Sequence, residues 1–151
     1  VTWPFLPNVG RLGCDTAPLI YLMERHPDFG PPMVDVARRV DEGAVVLVAS
    51  TITLTELLIR PLRLGRTDLV AAYRALLEHH AHVELVDIDA EVAVRAAELR
   101  ARHRLRTPDA LQIAAAVHAG CDAFLTNDRD LARVDEIAVV LVADLVARDG
   151  P

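Results

Sequence analysis

Four acidic residues of this chain stand where carboxylate chemistry would want them. Asp15 follows the apolar Leu12-Gly13-Cys14, Glu56 lies within STITLTELL (Ser50–Leu58), Asp109 falls in Thr107-Pro108-Asp109, and Asp128 follows Ala123-Phe124-Leu125-Thr126-Asn127. Carboxylates brought close together repel, and some would protonate near neutral pH unless a cation intervenes. Hard oxygen donors, with no convergent Cys or His, favour Mg²⁺ over Zn²⁺, with Mn²⁺ as a substitute. An ion held in this way serves phosphoryl or phosphodiester hydrolysis by water. Each residue also has a plainer reading. Asp15 could cap the next helix. Glu56 could complete a capping box, Thr53-x-x-Glu56, unless the helix starts at Ser50 or Thr51. Asp109 could be a favourable helix-start charge, worth about 0.3–1 kcal/mol, and Asp128 could form an Asx-turn. Against four separate caps stands the apolar sequence adjoining Asp15, Asp109 and Asp128.

The elements that must position them alternate. Arg11–Cys14, Val45–Val48, Val83–Val86, Ala123–Thr126 and Ile137–Val142 read as strands. Helices are expected over 16–25, 33–42, 51–59, 65–80 and 89–104, with Pro27, Gly30, Pro31 and Pro32 as breakers and Pro61 ending or bending the third. Thr107 reads as the N-cap of a nearly uncharged helix, with Pro108 at its first position and Gly120 closing it. A short helix or turn is expected over 131–136 and a last helix over 144–148. The pattern predicts one α/β domain over 11–151, mainly parallel, with helices on both faces, preceded by an irregular arm over 1–10. If the strands are parallel, all four carboxylates project from one sheet edge, where open α/β sheets bind ligands.

Composition narrows the chemistry. The 151 residues suffice for one substantial core, and the net charge is −6. All 16 basic residues are Arg, so no lysine nucleophile, Schiff base or P-loop lysine is possible. An acidic chain is not a general nucleic-acid binder, so any such role needs local Arg or metal ions. The sequence is 52% hydrophobic, yet its longest uncharged run, Gly43 to Thr55, is too short to span a bilayer. With no basic leader before an apolar segment, the chain reads as cytoplasmic. Cys14 and Cys121 read as buried free thiols.

CDTAPLIYLME (Cys14–Glu24), STITLTELL, TPDALQIAAAVHAGCDAFLTNDRDL (Thr107–Leu131) and the late IAVVLV together resemble the PIN domain, and within it the VapC type of toxin ribonuclease. The resemblance spans roughly residues 11–142. It implies a three-layer α/β/α fold, a Mg²⁺-dependent endoribonuclease acting on RNA, a VapB-type antitoxin, and a homodimer without membrane association. The family's acidic positions fall on Asp15, Glu56, Asp109 and Asp128, and its polar residue at the end of the fourth strand on Thr126. Asp15 and Asp109 are expected as metal ligands, with Glu56 and Asp128 completing the site.

Asp87-Ile88-Asp89 after the third strand resembles a haloacid-dehalogenase phosphatase, but the following Gly-Thr and the lysine are missing. A receiver domain also needs a lysine. The rival of another class is a catalytically weak PIN-like module that binds a protein partner; apolar Leu19–Met23 fits it, because a short helix cannot bury all five side chains. Among the remaining groups, Arg100, Arg102, Arg104 and Arg106 read as a solvated face, with phosphate contact as the alternative. His79-His80-x-His82 reads as a solvated loop, His118 as a satisfied core-helix residue, Asp130 as a solvent-facing helix start, and Glu24 as a surface or partner contact.

Overall fold

In a computed structural model, which describes residues 8–146, the β-branched and apolar runs form a five-stranded parallel sheet in the order β3-β2-β1-β4-β5. The strands are β1 (Arg11–Cys14), β2 (Val46–Ser50), β3 (Val83–Val86), β4 (Ala123–Thr126) and β5 (Ala138–Leu141). The central strand β1 pairs on one side with β2, Leu12 opposite Leu47, and on the other with β4, Leu12 opposite Ala123. β4 is buried at all four positions, as a strand covered on both faces must be.

Alternation along the strands feeds two cores. Leu12 and Cys14 of β1, with Ala123 and Leu125 of β4, face α1 (Thr16–Met23), α2 (Gly30–Asp41), α3 (Thr51–Arg63) and α4 (Thr67–His79). Phe124 faces α5 (Ala90–His103), α6 (Thr107–His118) and the 3₁₀ turn Arg129–Arg133. A last helix, α7 (Val142–Val146), follows β5 and reaches the first core through Val142. Gly13 lies between its two inward neighbours with its missing side chain towards α6: a Cβ there would stand 2.6 Å from Ala116 Cβ and 3.0 Å from Phe124 Cδ2. The glycine thus lets α6 lie tight on the sheet, and that closeness sets where the N-terminus of α6 ends up.

Several local expectations shift. Pro31 and Pro32 do not break a helix but occupy the first turn of α2, where their missing N–H groups have no helical partner to lose. Pro61 sits inside α3, near its end, and the helix runs on to Arg63. Ser50, rather than Thr53, caps α3 by accepting from the Thr53 amide, so Glu56 is not part of a capping box. Arg106, not Thr107, is the N-cap of α6, and it makes no side-chain cap bond. At the other end Gly120 takes φ +71° just past the cap residue Ala119, as expected of a helix stop. Of the arm expected over 1–10, residues 1–7 lie outside the described residues; Val9 packs on the first core and the Gly10 amide donates to Asp122. Residues 147–151, including Arg148 of the last expected helix, also lie outside them. Among the described residues no helix is long and apolar enough to cross a membrane.

Candidate active site

Because all strands point the same way, β1, β2 and β4 end at one edge, and α6 returns its N-terminus to it. Asp15 is the residue after β1; its backbone amide still donates to Leu125 O, which locks it in register with β4. Its Oδ1 accepts from the Thr16 amide at 2.8 Å, so the helix-cap reading is correct as far as it goes. Its Oδ2 accepts from the Thr126 hydroxyl at 2.7 Å, and that hydroxyl in turn accepts from the Asp128 amide at 3.1 Å. Thr126, fully buried, therefore ties the Asp15 carboxylate to the backbone of Asp128. Asp128 accepts from the Asp130 amide, which makes the Asx-turn real as well, and Asp130 itself is exposed.

Glu56 projects from the second turn of α3 towards α6, where Gln112 Nε2 donates to its Oε1 at 3.0 Å and to Thr16 Oγ1 at 3.1 Å. Asp109, in the first turn of α6, keeps a side chain only 13% exposed, and Arg106 Nε lies 3.2 Å from its Oδ2. Burial pushes the Asp15 carboxyl above its ordinary range; the bonds from Thr126 and Thr16 oppose this, and the charges of Asp109 and Asp128 add to it. Burial likewise raises Glu56, as do Asp15 and Asp109, against hydrogen bonds from Gln112 and Thr16. The structure thus gathers the sequence candidates around Asp15, which is within electrostatic reach of Asp109, Asp128 and Glu56, while Glu56 is also within reach of Asp109.

The chemistry of this donor set suits a divalent cation: oxygen only, partly desolvated, and with more negative charge than Arg106 alone can offset. It is an open set. Among the described residues, the trio of ligand atoms lying within 4.8 Å of one another is His103, Asp135 and Glu136, which includes none of these four carboxylates. There Arg102 already pairs with Glu136, its Nη1 2.8 Å from Oε1. Carboxylates that do not converge within 4.8 Å of one another leave room for a divalent ion that keeps waters of its own.

A family model for the PIN domain matches residues 14–137. The chain belongs to the PIN domain family. Its fold is similar to that of toxin–antitoxin proteins. A chain of the Rickettsia felis VapBC2 complex bound to promoter DNA superposes with a TM-score of 0.69 at 16% identity, covering 87% of this chain and 98% of that one. A Klebsiella pneumoniae toxin–antitoxin complex gives 0.66 at 20% identity, covering 88% and 97%. VapC20 of Mycobacterium tuberculosis, a toxin that cleaves the sarcin–ricin loop, gives 0.63 at 18% identity, covering 85% and 99%. Comparison with curated proteins gave no match.

Three residues of this PIN domain's site were not anticipated. Gln112 is 4% exposed, and its Oε1 is buried with no hydrogen-bond partner. The signal was present in the sequence: it is the one amide in the apolar run between Asp109 and His118. Thr16 looked like a helix-start residue and turns out to be buried against Gln112. Asn127 donates to Tyr21 Oη and accepts from the Ala143 amide, pinning the end of β4 to α1 and α7.

Other groups settle elsewhere. Asp89 caps α5 through the Val92 amide, which gives the Asp-x-Asp a structural role. Arg100 bonds Leu105 O and Thr107 Oγ1. His80 is tied to Asp41 at 2.8 Å, so the histidine run is not simply a solvated loop. His118, the last residue of the core helix α6, is partly exposed and lies 3.7 Å from Glu91. Cys14 is buried, but Cys121 is half-buried. Glu24 lies 3.6 Å from Arg60, beside a cleft of about 140 Å³ that also reaches Glu56.

Proposed function

We propose that this chain is a Mg²⁺-dependent endoribonuclease of the VapC toxin type, held in check by a VapB-type antitoxin. The observation that carries the reading is the excess of carboxylate at one sheet edge of a PIN fold, with burial pushing Asp15 and Glu56 up. Asp15 and Asp109 would hold the ion, directly or through water, which when bound supplies charge neutralisation for the phosphate and a more acidic water. Glu56 or Asp128 positions the attacking water and takes its proton. Thr126 fixes the orientation of Asp15, and Gln112 that of Glu56. Water attacks phosphorus and the 3′ oxygen leaves, so the products carry 5′-phosphate and 3′-hydroxyl ends.

The cleft lined by Ile20, Leu57, Leu64 and Tyr73, with Glu56 at its wall, suits an amphipathic helix whose Arg reaches the carboxylates. α1 supports this only in part: Leu19 is buried in its own core, whereas Ile20, Tyr21, Leu22 and Met23 are half-buried. A homodimer, a cytoplasmic location and a single domain over 11–151 belong to the same reading. The test is cleavage of total cellular RNA by antitoxin-free protein, with and without EDTA, followed by end mapping. Metal-dependent cleavage leaving 5′-phosphates is expected. Cleavage that persists in EDTA, or 2′,3′-cyclic ends, overturns the mechanism; folded, metal-loaded protein that cleaves no RNA favours a protein-binding module.

A further inference from the structure

Arg106 stands apart from the arginines just before it. Arg100 is spent on the Leu105 carbonyl and the Thr107 hydroxyl, and Arg102 on Glu136. Arg106 instead bonds a site carboxylate, its Nε 3.2 Å from Asp109 Oδ2. The pair is lopsided: the Arg106 side chain is 80% exposed and that of Asp109 13%. One partner is held by the fold and the other is free to swing. From its place at the N-cap of α6 the guanidinium is also within electrostatic reach of Asp128 and Glu56. It faces the acidic set from the solvent rim.

We propose that Arg106 is the site's own counter-ion, which occupies Asp109 until metal arrives, yields that carboxylate to the metal, and then grips a phosphate of the RNA strand beside the site. The inference rests on the nuclease reading above. Arg106 and a divalent ion compete for the same Asp109 oxygens. An exposed ion pair is weak, whereas the ion is attracted by all the carboxylates at once, so the ion wins. Once freed, the guanidinium sits at the mouth of a site whose charge has just been reduced. Its planar fork of donors matches a phosphate's oxygens. The chain has no lysine to do this work instead.

The experiment compares wild type with Arg106→Gln and Arg106→Lys. Mn²⁺ titration calorimetry gives a readout independent of activity: Arg106→Gln should bind Mn²⁺ roughly 1.5- to fivefold more tightly, since a competing cation is gone. With a short single-stranded RNA at saturating Mn²⁺, its KM should rise on the order of tenfold with kcat within about twofold, and its salt slope for binding should fall by about one. Arg106→Lys, which keeps the charge without the fork, should lie between the two. Equal Mn²⁺ affinity, or an unchanged KM, in a wild type that binds Mn²⁺ and cleaves RNA overturns this inference alone. A wild type that binds no Mn²⁺ overturns the nuclease reading and this inference together.

Discussion

Two acidic clusters of this protein use the same residue types to opposite effect. At one, Glu136 lies between Arg102 and His103, 2.8 Å from each. Burial pushes its carboxyl up, but the hydrogen bonds from His103 and Arg102 outweigh that and hold it at about 2. At the other, Asp15 and Glu56 are raised by burial and by neighbouring carboxylates, and their partners are hydroxyl, amide and backbone groups, not cations. In the first cluster a guanidinium and an imidazole already occupy the Glu136 carboxylate. The second is left wanting a cation, which is the signature of a place where something binds. Asp122, at the far end of the sheet, repeats the lesson for an aspartate: amides of Arg11 and Gly10 pull it down, and its work is to close a loop.

The largest effect separating the clusters should appear in catalysis. Asp15→Asn and Asp109→Asn should each lower RNA cleavage by about 10²–10³-fold, while Glu136→Gln stays within about threefold of wild type. Comparable losses in all three, measured as single-turnover rates, would erase the distinction. Gln112→Leu comes next. It frees Glu56 from its anchor and should cut kcat by about 10–100-fold, the range typical of groups that orient a site carboxylate. Its melting temperature should change little, because the substitution also removes a buried oxygen that has no partner. A lost fold, or an unchanged kcat, would contradict the positioning role.

Gly13→Ala should cost about 1–3 kcal/mol by overpacking, a fall in Tm of about 2–10 °C, since the new methyl meets Ala116 and Phe124. Cleavage should fall with it as α6 is pushed outward with Asp109; a denaturation curve coincident with wild type would show that the helix does not need this closeness. The smallest effect is one of stability and sign. Asp15 has a raised folded value, so its charged form is an expense of folding, absent below its ordinary value of 3.8 and complete above the raised value. Without metal, Asp15→Asn should raise Tm near neutral pH, and added Mn²⁺ should stabilise wild type only. Glu136 runs the other way: its contribution is present above its ordinary value of 4.5 and is lost as pH falls through about 2. Glu136→Gln should therefore lower Tm at neutral pH. Equal signs for the two variants would break the comparison.

Much of this was legible in the chain. β1, β3 and β4 begin and end where their apolar runs do, and the parallel alternation of elements is enough to bring Asp15, Glu56, Asp109 and Asp128 to one edge. What the one-dimensional pattern hides is which of several equivalent polar groups wins a contact. Ser50, Thr51 and Thr53 can all start a helix, and only packing of β2 against its neighbours selects Ser50. Pro31 and Pro32 read as breakers because a proline's place within a helix, first turn or interior, is settled by where the chain turns. Gln112 and Thr16 meet across 96 positions of sequence, a pairing that no local periodicity announces, although a lone amide on an apolar helix invited the question. Arg106 was one of four similar arginines until the fold gave each of the others a different task or neighbourhood.

The most direct test is Mn²⁺ calorimetry on wild type, the Asp15→Asn/Asp109→Asn double variant and Glu136→Gln, each with its melting curve. Binding by wild type and Glu136→Gln alike, and none by the folded double variant, is the result the unbalanced cluster predicts. Equal binding by the double variant and wild type, or binding abolished by Glu136→Gln, would contradict it.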